Sequence, residues 1–290
     1  MIAALDTLIQ GLLLGALYAL FAAGLSLSFG VMRLVNIAHG DLIVLSSFLA
    51  LTLTRLTGLS PLASLVLLVP LMAAAGYALQ RGLLNAVLSR DPLPPLLVTF
   101  GLSVIIQNLL LEAYSADTRR LEAGRLATAS LSLPGGLAIG WFPLLVLACA
   151  LGALLLLQLL ISATALGRAF RAASDDPEIV EVVGVSRRHV YALAMAISMA
   201  VVALSGVLLG IDTTFDPSMG PSRLLFAFEA VIIGGMGSLW GTLAGGMLLG
   251  VAQAIGFRIN PGYGILVGHV VFLLVLAFRP SGLVPRTRDA

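Results

Sequence analysis

The sequence predicts an all-α, polytopic membrane protein of about eight transmembrane segments, one of them broken by a Gly-rich turn. Three observations predict it. Hydrophobic residues make up 59% of the 290 residues and charged residues 10%, with a mean hydropathy of +1.07, which is more apolar surface than a soluble domain of this size can cover. Apolar stretches of about 20 residues, the length a helix needs to cross a hydrocarbon core about 30 Å thick, recur between short loops of arginine, proline or acid. The third observation is "IGGMGSLWGTLAGG", six glycines in fourteen residues. It lies inside an apolar segment too long for one straight span and too short for two.

The spans are expected at about 7–29, 40–56, 61–80, 93–113, 142–162, 189–211, 224–256 with the break inside, and 262–279, in a single transmembrane domain covering 1–290. The N-terminal stretch "MIAALDTLIQGLLLGALYALFAAGL" lacks the basic region of a signal peptide, so the first span is expected to be retained.

Joining the first two spans is "VMRLVNIAHGDLIVLSSFLA", in which Arg33, Asn36, His39 and Asp41 fall within nine residues. Asp41 precedes an apolar run, where it can cap a helix N-terminus or oppose its dipole. The cluster either orders the loop or lines the entrance to a pathway. With no further His or Cys nearby, its spacing does not make a metal site.

In the seventh span, Gly234, Gly235, Gly237 and Gly241 read as a turn between two half-helices, because irregular backbone at membrane depth is tolerated where it packs in protein or lines a water-filled cavity. Gly245, Gly246 and Gly250 recur at helical spacing and let a neighbouring helix approach closely. The other reading is that every one of these glycines serves helix packing and there is no turn. On the first reading Gly237 rejects a side chain, and Gly250→Ala is expected to be mild.

All sixteen basic residues are arginine. Without lysine there is no G-x-x-x-x-G-K-[ST] phosphate loop and no Schiff base, so this chain does not itself hydrolyse ATP in the conventional way. The net charge of +2 is scattered, which argues against nucleic acid. The single Cys149 lies in an apolar run and reads as packing.

Arginines fix the orientation. The loop at about 163–189 carries Arg168, Arg171, Arg187 and Arg188, the 81–90 loop carries Arg81 and Arg90, and the tail carries Arg279, Arg286 and Arg288. The positive-inside rule places these in the cytoplasm, which puts the N-terminus and the 114–141 loop outside, although Arg119, Arg120 and Arg125 count against it. With both the 163–189 loop and the tail inside, the seventh segment must return to the side it entered.

The cytoplasmic loop contains "ASDDPEIVEVVGVSRRH". Asp176 suits an N-cap, Pro177 the first helical position, Glu178 the dipole and Gly184 the C′ position. Ile179, Val182 and Val183 then form an apolar stripe on a two-turn helix. So short a helix needs something to pack against, either a partner protein or its own chain.

Three stretches in order, "GALYALFAAGLSLSFGVMRLVNIAHGDLIVLSSFLA", "AASDDPEIVEVVGVSRRHVYALAMAISMAVVALSGVL" and "IIGGMGSLWGTLAGGMLLG", followed by "FRPSGLVP", resemble the permease subunits of branched-chain amino acid ABC importers. Urea and short-amide importers have similar permeases. The resemblance implies a bacterial inner-membrane protein paired with a second, related or identical permease subunit, two ATP-binding subunits below and a periplasmic binding protein above. It makes Asp176 to Gly184 the coupling helix, and Gly234 to Gly241 a break lining or supporting the path. Asn36, His39 and Asp41 match the family's first-loop pattern. It implies no cofactor, metal or catalytic residue.

Two other classes compete. An ion-coupled carrier would use an intramembrane carboxylate, for which Glu112 and Glu229 are candidates, Glu229 reading more readily as an interface or ion-pair residue. An intramembrane hydrolase would need His269 positioned against Ser46 or Ser205, a pairing that sequence cannot establish.

Overall fold

Residues 2–88, 91, 93–133, 136–176, 180–181 and 184–284 are described in a computed structural model. Helix α1 (Ile2–Met32) leads to α2 (His39–Thr57), α3 (Pro61–Leu79) and α4 (Leu93–Tyr114). Ser60 accepts from the Ala63 amide to start α3, with Pro61 next to it in the first turn, and a π-turn at Gln80–Leu84 extends the helix to Val87. A hairpin of β1 (Ser130–Leu133) and β2 (Leu137–Gly140) precedes α5 (Trp141–Ala163), α6 (Ala165–Asp175) and α7 (Arg187–Asp212). Then come α8 (Gly220–Gly234), α9 (Leu239–Ile259) and α10 (Gly264–Phe278).

Among the described residues eight helices are long and apolar enough to cross a membrane. Each expected span overlaps one of them, and the seventh, expected at 224–256, divides into a helix of 220–234 and the spanning helix of 239–259, so the break is present. Helix α8 is its first half: 15 residues make about 22 Å at 1.5 Å per residue, short of the hydrocarbon thickness. Helix α9 is long enough alone.

Helix α1 runs through the middle of the bundle, buried against α9, α7, α8 and α5. Its seam with α9 is made by glycine. A Cβ on Gly250 would fall on the backbone of Gly11 and Gly15, and one on Gly246 would meet Ala19. This corrects the expectation that Gly250→Ala is mild, because what lies opposite is backbone and cannot rotate away. Serines join the other helices. Ser198 donates to the Gly24 carbonyl at 2.7 Å, Ser205 to Leu20 at 3.2 Å and Ser47 to Gly206 at 2.7 Å. Helices α3, α4, α5 and α10 lie outside and present Val66, Leu97, Leu156 and Leu273.

The loops sort to two ends. At one end Gln10 donates to Ala138, Arg119 pairs by backbone with Phe215, and Arg258 reaches Thr7. At the other, Ser174 donates to Gly30, Asn85 to the Arg188 carbonyl, and the chain after α10 meets the end of α8.

Candidate translocation path

Two irregular stretches interrupt this bundle. The first follows α1: the chain turns at Arg33, whose φ is 52°, and doubles back, so that His39 meets α1 at Phe21 with Nε2 2.8 Å from that carbonyl. Phe21 lies eleven residues before the end of α1, so 33–38 climbs on the order of 10 Å back into the bundle. Asn36 holds the climb by accepting from the Ala38 amide at 3.1 Å, and Thr99 of α4 accepts from Ile37 at 3.2 Å.

Helix α2 therefore begins inside the bundle. Ala38 is its N-cap and no side chain caps it. His39 and Asp41 lie in its first turn, and Asp41 reaches sideways where a cap would have reached back. Its Oδ1 accepts from Gln107 of α4 at 2.9 Å, and Gln107 also donates to Ser103 at 3.2 Å. Asp41 Oδ2 is buried without a partner. Asn36, His39 and Asp41 are each 1% exposed, so in this conformation they brace the re-entrant stretch.

The second irregular stretch is the glycine turn. Gly235 (φ 104°) and Gly237 (φ 80°) take left-handed backbone, and Ser238 accepts from the Gly241 amide at 3.1 Å to start α9. Gly234 is the last residue of α8, and Gly241 lies in the first turn of α9. The turn itself is thus narrower than the expected 234–241, and these two glycines pack face to face across it.

Helix α2, which follows the first stretch, meets α8 at the end remote from the glycine turn. A Cβ on Gly40 would fall on the Gly220 carbonyl and the Leu224 amide, and one on Gly220 would fall on Asp41 Oδ1. The first turns of α2 and α8 therefore touch, with α4 alongside. Helix α4 contributes Thr99, Ser103 and Gln107, which sequence reasoning missed. Their four-residue spacing in an otherwise apolar helix was the available signal. The next residue, Asn108, points outward and is exposed, its amide donating only to its own helix at Val104.

Glu229 of α8 is buried, with Oε1 2.5 Å from His269 Nδ1 on α10. The Phe226 ring stacks on Tyr18, centroids 4.9 Å apart, and Tyr18 donates to Gln253 at 2.7 Å. The hydrolase arrangement does not form, since His269 faces Glu229 while Ser46 and Ser205 donate to backbone carbonyls.

Of the expected coupling helix, Pro177, Glu178, Ile179, Val182 and Val183 lie outside the described residues. Asp176, Val180, Glu181 and Gly184 are described. The Val180 amide bonds to the Asp176 carbonyl at 3.3 Å, Gly184 has φ +83°, and Val185 closes back on Val180 at 3.1 Å. Val180 is buried on its own chain, and Glu181 faces Arg187 at 3.5 Å.

The family described as branched-chain amino acid transport system, permease component, matches residues 7–276. The chain is 30% identical to the high-affinity branched-chain amino acid transport system permease protein BraD of Pseudomonas aeruginosa, over 97% of this chain and 96% of that one. It is 28% identical to the permease protein LivH of Escherichia coli, again over 97% and 96%. Among solved structures, PsaBC from Streptococcus pneumoniae in complex with Fab shares the fold with a TM-score of 0.50 at 13% identity, covering 100% of this chain and 98% of that chain.

Proposed function

Because the chain belongs to the branched-chain amino acid transport system permease family, we propose that it lines the path by which an ATP-driven importer moves branched-chain or related amino acids across a bacterial inner membrane. The observation that carries this is the meeting of two re-entrant segments at Gly220 and Asp41, beside the polar stripe of α4. Backbone that doubles back inside a bilayer is useful where something polar must pass, and costly elsewhere. Asn36, His39 and Asp41 hold one segment; Gly234, Gly235, Gly237 and Gly241 hold the other.

The same face calls for a partner. Half-helix α8 exposes Leu225, the turn after it exposes Met236, and α4 exposes Asn108. A half-helix end and a mid-span amide are poorly served by lipid. A second permease subunit, identical or related, covers this face and completes the path. Asp176 to Gly184 docks one of two ATP-binding subunits, and a periplasmic binding protein delivers the substrate to the end that carries the β-hairpin.

Reconstituted with its binding protein and ATP-binding subunits, the chain should support ATP-dependent uptake of the ligand that the binding protein holds. Thermal shift of that binding protein across leucine, isoleucine, valine, urea and short amides identifies the ligand. Stabilisation by urea or amides alone would replace the amino-acid reading. Uptake without the ATP-binding subunits would overturn the importer.

A further inference from the structure

Beyond the path itself, we infer that residues 281–284, after the last helix, form a strap that positions half-helix α8 through its backbone. The inference rests on reading α8 as part of the path.

A helix C-terminus leaves its last carbonyls without partners inside the helix. Helix α8 ends inside the protein, where such groups must be satisfied. The Gly235 amide turns back to Val231 at 2.9 Å and Ile232 at 3.2 Å. The carbonyls of Ile233 and Gly234 are taken by the tail, Leu283 donating to the first at 2.8 Å and Val284 to the second at 3.0 Å. Glycine on both sides permits this. Gly282 (φ 79°) and Gly235 (φ 104°) lie against each other. A Cβ on Gly282 would fall on the Gly235 backbone, and one on Gly235 would come within 2.8 Å of the Val284 carbonyl.

The same two elements are joined again higher up. His269 of α10 faces Glu229 at 2.5 Å, and its ring lies over Phe226 at 6.3 Å and 17°. Helix α8 is thus tied to α10 and the chain that follows at Phe226, which also stacks on Tyr18 of α1, at Glu229 and at its own C-terminus. Leu225 of α8 is exposed on its outward side.

The strap acts through backbone donors, so its test removes a donor. In the full chain held in detergent without the partner subunit that would cover this face, and with Cys149 replaced by alanine, a single cysteine at Leu225 reports on α8 and one at Asn108 on α4. Leu283→Pro deletes the amide that caps Ile233, whereas Leu283→Ala keeps it. Maleimide reactivity at position 225 should change about tenfold in Leu283→Pro, the scale on which one net hydrogen bond shifts a local equilibrium. Reactivity at 108 should stay put, and Leu283→Ala should match the parent at both. Unchanged reactivity at 225 in Leu283→Pro overturns the strap, as does an equal change in Leu283→Ala. Should Leu283→Pro fail to fold, Gly282→Ala in the full chain is read by the same comparison and decides it. Altered reactivity at 225 with full uptake would keep the strap and remove α8 from the path.

Discussion

Gly234 and Gly241 face each other across the turn between α8 and α9, each placed so that a Cβ on one would fall on the carbonyl of the other. Two helices can fold back this sharply only where both backbones are bare. Gly237→Leu at φ 80° is expected to abolish uptake while leaving detectable protein in the membrane, at a backbone cost of about 1–2 kcal/mol. Gly250→Ala should lower the yield of folded protein in size-exclusion chromatography, because α1 backbone lies opposite. Gly152→Ala, with open space around it, should be neutral. Equal behaviour of the three would contradict this packing.

Orientation is tested by single cysteines in a Cys149-free chain. Cysteines at Thr128 and Arg171 should react with an impermeant maleimide from opposite faces of the membrane, and one at Ser281 should agree with Arg171. If 128 and 171 label from the same face, the positive-inside assignment is wrong.

Asp41 has one oxygen on Gln107 and the other without a partner. Gln107→Leu strips a buried carboxylate of a donor, a loss of about 1–3 kcal/mol, and should lower the melting temperature in detergent. Asp41→Asn keeps an acceptor for Gln107 and removes the charge, so it should cost less. A Gln107→Leu protein that melts like the parent would show that this contact does not brace α2.

The coupling reading rests on the apolar stripe of Ile179, Val182 and Val183. Ile179→Asp with Val183→Asp places two carboxylates where a partner's groove is expected, at several kcal/mol if they stay unpaired. Uptake should vanish, with the ATP-binding subunits either dissociating or hydrolysing ATP without response to loaded binding protein. Normal uptake at normal expression would mean that this loop does not seat the motor.

Glu229 and His269 supply the ionisable pair that a proton-coupled carrier would require. In ATP-loaded vesicles a protonophore should leave uptake unchanged, and a non-hydrolysable nucleotide should stop it. Collapse under the protonophore with ATP intact would move the driving force to this pair.

The spans and the break could be read from the sequence because length, glycine and arginine report directly on lipid thickness, backbone freedom and sidedness. What joins the spans could not. A membrane helix such as α5 is apolar on nearly every side, so periodicity does not tell which face packs. Glu229 and His269 are forty residues apart and meet only once α8 and α10 are placed. The role of Asp41 was half visible. Its place in the first turn of a helix followed from the apolar run behind it, while its attachment to Gln107 depended on how deeply 33–38 climbs. The tail's hold on α8 is made by backbone groups, which side-chain patterns do not reveal.

Helix α1 leaves the ribosome well before α9, the helix that covers its glycine flank. About 240 residues separate Gly11 from Val251, against which it packs, and at 5–20 residues per second they take roughly 12 to 48 s to make. Through that interval the glycine flank of α1 is bare in the bilayer, open to insertases, membrane proteases or another nascent chain. A message truncated before α9 therefore yields a product whose central helix never finds its counterpart.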